Sequence, residues 1–159
     1  MAGYLSIDVV DTVSPQLEAE LAVLIPQLST TTPAPDLGAL CDIVRSPTTT
    51  LVVAREADGS AVGMLTLVVF RVPTGVRAII EDVVVDARVR GSGVGTALTK
   101  RGIAIAREQG ARTIDLTSRP SREAANRLYQ RLGFERRETN VYRLTIQQRN
   151  PQVYSRRWA

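Results

Sequence analysis

The chain contains no histidine. That absence removes Ser-His-Asp and Cys-His nucleophilic mechanisms and the commonest zinc sites. Any acid–base chemistry falls to Asp, Glu, Tyr, Lys or water held by arginine. A single cysteine, Cys41, excludes an intrachain disulfide framework and a multi-cysteine metal site. It lies in a helix-like stretch and reads as a small core residue. No bound metal is expected. Lys100 is the only lysine, so nearly all the charge behind the formal +4 is arginine. Arginine stays charged and grips phosphate bidentately, which suits an anionic ligand. Aromatics are scarce, and no basic block interleaves with them, so no nucleic-acid partner is expected. No apolar run approaches the roughly 18 residues that span a bilayer. The first ten residues lack a basic segment followed by a long apolar one. A cytoplasmic chain with no membrane partner is the expectation.

At 159 residues, one domain is the default, and it can bury a real core. No linker or internal repeat divides it. Residues 1–147 are read as that single domain and 148–159 as a basic, irregular tail. Tyr4 to Val10 alternates as a strand. Leu17, Leu21, Leu24 and Leu28 have helical spacing behind a Ser14–Pro15 cap. Asp36 is placed to cap a short helix running through Val44. Two strands then flank an Asp58–Gly59 hairpin turn. "VRAIIEDVVVD" reads as another strand, and a helix from Val94 to about Gln109 is stopped by Gly110. "RTIDLTS" reads as a short strand. Pro120 and Ser121 open a helix ending near Gly133, and "FERRETNVYRLTI" reads as two strands around a turn near Glu138–Thr139. A strand meander that passes into alternating helices and strands predicts a mixed α/β sheet covered on both faces.

Between the meander and the long helix stands "VRGSGVG", Val89 to Gly95. Its glycines have G-x-G-x-G spacing, with Thr96 next, so it fails the G-x-G-x-x-G dinucleotide fingerprint. Lys100 is followed by Arg101 and not preceded by glycine, which fails the Walker pattern. A helix start still offers unpaired N–H groups and a partial positive charge. Gly91, Gly93 and Gly95 would let that backbone approach an anion, with Arg90 adding a fixed charge. A plain glycine turn with a solvated Arg90 fits the same residues.

Taken together, "IEDVVVDARVRGSGVGTALT" and "LTSRPSREAANRLYQRLGF" resemble the GNAT superfamily of N-acetyltransferases. Arg90, Gly93 and Gly95 match its R/Q-x-x-G-x-G/A loop, with Gly91, Ser92, Val94 and Thr96 completing it. Ala125, Asn126, Leu128, Tyr129, Leu132, Gly133 and Phe134 match its A-N-x-L-Y-x-x-L-G-F helix. The resemblance is specific over about Ile79 to Leu144; the first half matches in element order alone. It implies a GNAT fold of about seven mostly antiparallel strands with a central parallel pair, and about four helices on both faces. It also implies acetyl-CoA as co-substrate, with its pyrophosphate on the Arg90 loop. Val83, Val84 and Val85 would serve it through their backbone, on a strand that splays from the next.

An alkyl ammonium with pKa near 10.4 must lose a proton before attack, at a cost of about 4.6 kcal/mol at pH 7. Glu81 is the candidate base. On an alternating strand it should share a face with Ile79, Val83 and Val85, while Asp82 points away. A salt bridge to an arginine is the plain alternative for Glu81, and a structural role is the expectation for Asp82. Tyr129 is the candidate acid for the departing thiolate, since the resemblance implies that it reaches the coenzyme's sulfur. Asn126, three residues before it, would bind the pantetheine or phosphate region; Arg88 and Arg131 are weaker candidates for the phosphates.

The implied function is transfer of acetyl to a primary amine by direct attack in a ternary complex. The alternative is a non-catalytic GNAT-fold module that binds acyl-CoA as a structural or regulatory ligand. The acceptor side would be shaped by "LSTTTPAPD" and the turn near Glu138 to Asn140, where Asp36, Glu135 or Glu138 could attract a cation. A small-molecule or peptide amine is expected there, and family habit suggests a homodimer.

Overall fold

In the computed structural model, residues 5–146 are described. The tail assigned to 148–159 lies outside them. The elements run β1 (Leu5–Val9), α1 (Pro15–Leu28), α2 (Leu37–Arg45), β2 (Thr49–Glu56), β3 (Ala61–Val72), β4 (Gly75–Val85), α3 (Val94–Glu108), β5 (Thr113–Leu116) and α4 (Glu123–Arg131). The anticipated caps form. Ser14 accepts from Leu17 N–H at 3.2 Å and Asp36 from Ala39 N–H at 2.8 Å, each satisfying a donor that the helix start leaves free. α4 begins at Glu123, later than the Pro120–Ser121 signal indicates.

The strands form one sheet in the order β1-β2-β3-β4-β5. The first three pairings are antiparallel and β4–β5 is parallel. Among the described residues this is a mixed sheet of five strands, fewer than the expected seven or so, and its parallel pair lies at an edge, not at the centre. The difference comes from residues 134–146, which hold no strand. Strands persist by pairing, and residues 135–146 make no backbone hydrogen bond to a described element.

Helices cover both faces. On one, Val94, Leu98, Ile105 and Ala106 of α3 pack with Val52, Leu65, Leu67, Ala78 and Ile80 of the sheet. On the other, Leu17, Leu21 and Leu24 of α1 and Leu40 of α2 pack with Leu51, Val53, Met64 and Val84. Arg55 on β2 ties the sheet to α1 through Glu20, at 2.8 Å. Among the described residues, no helix is long and apolar enough to cross a membrane.

β4 carries an extra residue. Thr66 opposes Glu81, but Met64 opposes Val84, so Leu65 faces both Asp82 and Val83. Asp82 absorbs the mismatch at φ +50°, a left-handed conformation that Asp tolerates better than most residues. The bulge reverses the alternation. Ala78 and Ile80 face α3 before it, whereas Val83 and Val85 pack toward α3 after it and Val84 toward α1 and α2. Glu81 therefore does not share a face with Val83 and Val85, as strict alternation would require. It stands opposite Ile80, on the side that α1 and α2 cover.

α3 is pressed close to β3 at Gly63. A Cβ there would lie 3.0 Å from the Val84 carbonyl oxygen and 3.1 Å from both Leu98 and Val94. Backbone cannot yield as a side-chain tip can. Gly63→Ala is expected to cost about 1–3 kcal/mol, read as a lower urea midpoint at an unchanged slope. An unchanged midpoint would show that α3 can lift away freely.

Candidate active site

β4 pairs with β5 only from Arg77–Thr113 to Ile80–Leu116. Beyond that point, Glu81 to Val85 keep β3 on one side and lose β5 on the other. The strands part, and the edge of β4 facing the gap is free of strand partners. The parted stretch leads into a short 3-10 turn, Ala87–Val89, and then the glycine loop.

Asp86 holds this junction. Its side chain is buried, yet it accepts from Arg88 Nη2 at 2.8 Å, from Arg88 Nε at 3.1–3.2 Å and from Arg88 N–H at 2.9 Å. Its own N–H donates to Val62 O at 2.9 Å, and Gln27 of α1 accepts from Ala87 N–H at 2.8 Å. Arg88 is thus committed to Asp86 and shapes the loop from its outer side. The side-chain bonds from Arg88, then the backbone N–H, hold the Asp86 carboxyl below the usual carboxylate range, against the opposing effect of burial.

The glycine loop bends back on itself at two positions. Gly91 has φ +84° and Gly93 φ +94°, and a Cβ on either would meet nothing within 4 Å, so the loop is open on its outer side. Gly93 is the N-cap of α3, and no side chain caps it. The first intrahelical bond of the helix runs from Ala97 N–H to Gly93 O. The N–H groups of Val94, Gly95 and Thr96 come before it, which makes this helix start a ready anion site. Gly95 differs from what its spacing suggests. A Cβ there would lie 3.2 Å from Leu128 and 3.5 Å from Val85, so its bare Cα admits α4 while its N–H stays among the free donors of the helix start. Arg90 donates from Nε to Val85 O at 3.3 Å, which sets its guanidinium at the mouth of the parted strands. Ser92 donates to Val89 O at 2.6 Å and tightens the loop.

α4 supplies the remaining wall. Tyr129 is 8% exposed and packs edge-on against Phe134, with ring centroids 5.8 Å apart. Burial pushes the phenol's pKa up, partly opposed by the charge of Arg122. Its hydroxyl has no hydrogen-bond partner among the described residues. It is therefore a neutral, protonated donor at pH 7. Asn126 spends its Nδ2 on Arg119 O at 3.0 Å and Pro120 O at 3.4 Å, so it braces the loop leading into α4 and keeps only its amide oxygen free. Glu81 is exposed and has no ion-pair or hydrogen-bond partner among the described residues, so the arginine salt bridge does not form there. Asp82 is likewise exposed, and its part is the bulge. Arg131 is exposed on the last turn of α4.

Three residues escaped sequence reasoning. Asp86 had a local signal, an Asp at a strand end ahead of a turn. Arg122 had none among so many arginines, yet its Nη2 reaches Val83 O at 3.4 Å across the parting. Ser118 lies just past β5, and its Oγ is buried without a partner among the described residues. Such orphaned polar atoms are uncommon in a folded chain. Among the described residues, no group of three or more His, Cys, Asp or Glu is placed to hold a metal.

The α/β sheet thus opens between its parallel pair, beside a glycine-led helix start that no side chain caps. A family model described as the acetyltransferase (GNAT) family matches residues 17–134. The chain belongs to that family. An uncharacterized N-acetyltransferase of Methanocaldococcus jannaschii is 39% identical over 59 residues, covering 37% of this chain and 26% of that protein. The chain thus matches about a quarter of that relative's length. A Trypanosoma brucei acetyltransferase crystal structure superposes with a TM-score of 0.73 at 26% identity, covering 90% of this chain and 100% of that one. An aminoglycoside acetyltransferase from an uncultured soil metagenomic sample, solved with sisomicin, has a TM-score of 0.79 at 18% identity, over 90% of this chain and 97% of that one. That likeness bears on the fold alone.

The loop junction makes a pH prediction. Because the Asp86 carboxyl has a lower pKa folded than unfolded, it adds stability above the unfolded value of about 3.9. That stability is lost as pH falls through the folded value. Asp86→Asn is expected to cost about 1.5–3 kcal/mol at neutral pH, with the gap to wild type narrowing below about pH 4. Urea unfolding between pH 7 and 3 checks this. A gap that stays constant into acid would mean that the charge is not what holds the loop.

Proposed function

We propose that the chain transfers acetyl from acetyl-CoA to a primary amine by direct attack in a ternary complex. The observation that carries this reading is the parting of β4 from β5 after Ile80, with its open edge leading straight to the uncapped start of α3. In this reading the pantetheine arm lies along Val83, Val84 and Val85 and pairs with their backbone as an added strand would. The pyrophosphate sits on the free N–H groups of Gly91, Gly93, Val94, Gly95 and Thr96, with Ser92 in the loop and Arg90 beside it. Ser118 Oγ and the Asn126 amide oxygen are free polar groups near the same gap. Arg122 has to release Val83 O as the arm enters.

Glu81 and Tyr129 take opposite sides of the sheet, since Glu81 stands away from α3 and Tyr129 comes from α4, which packs beside α3. A thioester threaded between the strands would meet the amine on one side and the phenol on the other. Glu81 takes the ammonium proton, directly or through water. The amine nitrogen then forms its bond to the carbonyl carbon, and a freed N–H of β4 stabilises the charge on oxygen. The attacking nitrogen, which still carries two protons in the tetrahedral intermediate, gives one up to water; the carbon–sulfur bond breaks as Tyr129 donates its proton to the sulfur, and the tyrosinate regains one from water. Burial keeps Tyr129 from ionising beforehand. The acceptor is a small-molecule or peptide amine, and the proposed compartment is the cytoplasm.

Isothermal titration with acetyl-CoA should show binding, and a panel of amines should release free thiol. Tyr129→Phe is expected to lower kcat by about 100-fold with little change in coenzyme affinity. No binding at millimolar ligand would overturn the reading. Tight binding without thiol release from any amine would favour a regulatory binding module instead.

A further inference from the structure

Passing the Tyr129 proton to sulfur leaves a negative charge behind on the ring oxygen. Tyr129 is buried, and its hydroxyl has no hydrogen-bond partner among the described residues. A phenolate in that place would be desolvated and unpaired, which is costly for any buried charge. A cation close to the phenol would remove much of that cost.

α4 carries one at its start. Arg122 is the N-cap of the helix, and its backbone is fixed there. Its N–H donates to Arg119 O at 3.0 Å, and its carbonyl accepts from Asn126 N–H at 2.9 Å. The side chain is exposed and forms no ion pair among the described residues. Glu123, the neighbouring carboxylate, pairs with Arg127 instead, at 3.4 Å. The bond from Arg122 Nη2 to Val83 O is long, at 3.4 Å, and so is easily given up. The coenzyme arm would pair with that same carbonyl, so its entry displaces the guanidinium. Tyr129 lies seven positions after Arg122, two turns along, so the two residues share a face of α4. Helix side chains lean toward the N-terminus, which brings the Tyr129 ring back toward Arg122. Burial pushes the phenol's pKa up, and Arg122 is the one charge that opposes it; among the described residues, no carboxylate of β4, α3 or α4 acts there.

We propose that Arg122 is a positioning residue for departure of the thiolate: it leaves Val83 O as the coenzyme enters and turns to the Tyr129 oxygen, which it holds as the phenol gives up its proton. Its role presupposes the acetyl transfer proposed above. The phenol O–H bond breaks, the proton goes to sulfur, and the electron pair stays on the phenolate oxygen beside the guanidinium. Arg122 keeps all its protons throughout. It therefore acts through Tyr129 and not on the thioester.

Arg122→Gln is expected to lower kcat by about tenfold, with acetyl-CoA affinity in isothermal titration kept within about twofold. Arg122→Lys retains the charge and should regain most of the lost kcat. In the ligand-free protein, the tyrosinate absorbance that Tyr129→Phe removes should appear about one pH unit higher in Arg122→Gln than in wild type, because the phenol then holds its proton more tightly. This titration needs no turnover. A raised midpoint with no thiol release from any amine would support the pairing and overturn the acetyl transfer. Coincident titrations in wild type and Arg122→Gln overturn the role of Arg122, whatever the turnover. An unchanged kcat overturns it too, as does a loss that falls on acetyl-CoA affinity and spares kcat, which would make Arg122 a phosphate ligand. Arg122→Ala provides a second neutral side chain for the same measurements if Arg122→Gln does not fold.

Discussion

β4 holds β3 along nearly its whole length and releases β5 halfway. The one-residue bulge at Asp82 falls where that release occurs. A bulge increases local twist and bends its strand. Here the bend carries Val83 to Val85 away from the line of β5 while β3 keeps them in the sheet. The same extra residue sends Glu81 to one face and returns Val83 and Val85 to the other. One local irregularity thus provides an open backbone edge, an exposed carboxylate on the far side, and the direction in which the chain enters the glycine loop.

The loop inherits that direction only because its base is fixed. Asp86 is the buried post, anchored to Val62 by its backbone and to Arg88 by its side chain. Three arginines near the parting show how little residue type alone decides. Arg88 is spent on Asp86, Arg90 hangs on a carbonyl at the mouth, and Arg122 bridges the gap from α4. All three are permanently charged. What separates them is the acceptor each can reach, and that is a property of the fold.

Much of the architecture was legible because strong local signals agreed with the tertiary packing. The Ser14 and Asp36 caps, the Asp58–Gly59 turn and the leucine spacing of α1 each have a short-range cause. The glycine loop and the Tyr129 helix could be paired by motif before any contact was known. The face of Glu81 could not be read, because alternation presumes a regular ladder and the bulge depends on how β3 meets β4. The packing role of Gly95 was hidden for a related reason. Three closely spaced glycines look alike in sequence, but two have positive φ in open space and the third has Leu128 against it.

The end of the chain shows a different limit. "VYRLTI" has the pattern of a strand, and in the lone chain it is not one. A strand's hydrogen bonds belong to a pair, so pattern can specify a face without specifying who supplies the partner. The same reasoning applies at β5, where Ile114 and Leu116 are patterned for burial and achieve half of it. Among the described residues, the one is an apolar face without a sheet and the other a sheet edge without a strand. A free edge of this kind is ordinarily shortened, charged or covered. β5 is short and carries an exposed Asp115, which blunts it against arbitrary partners.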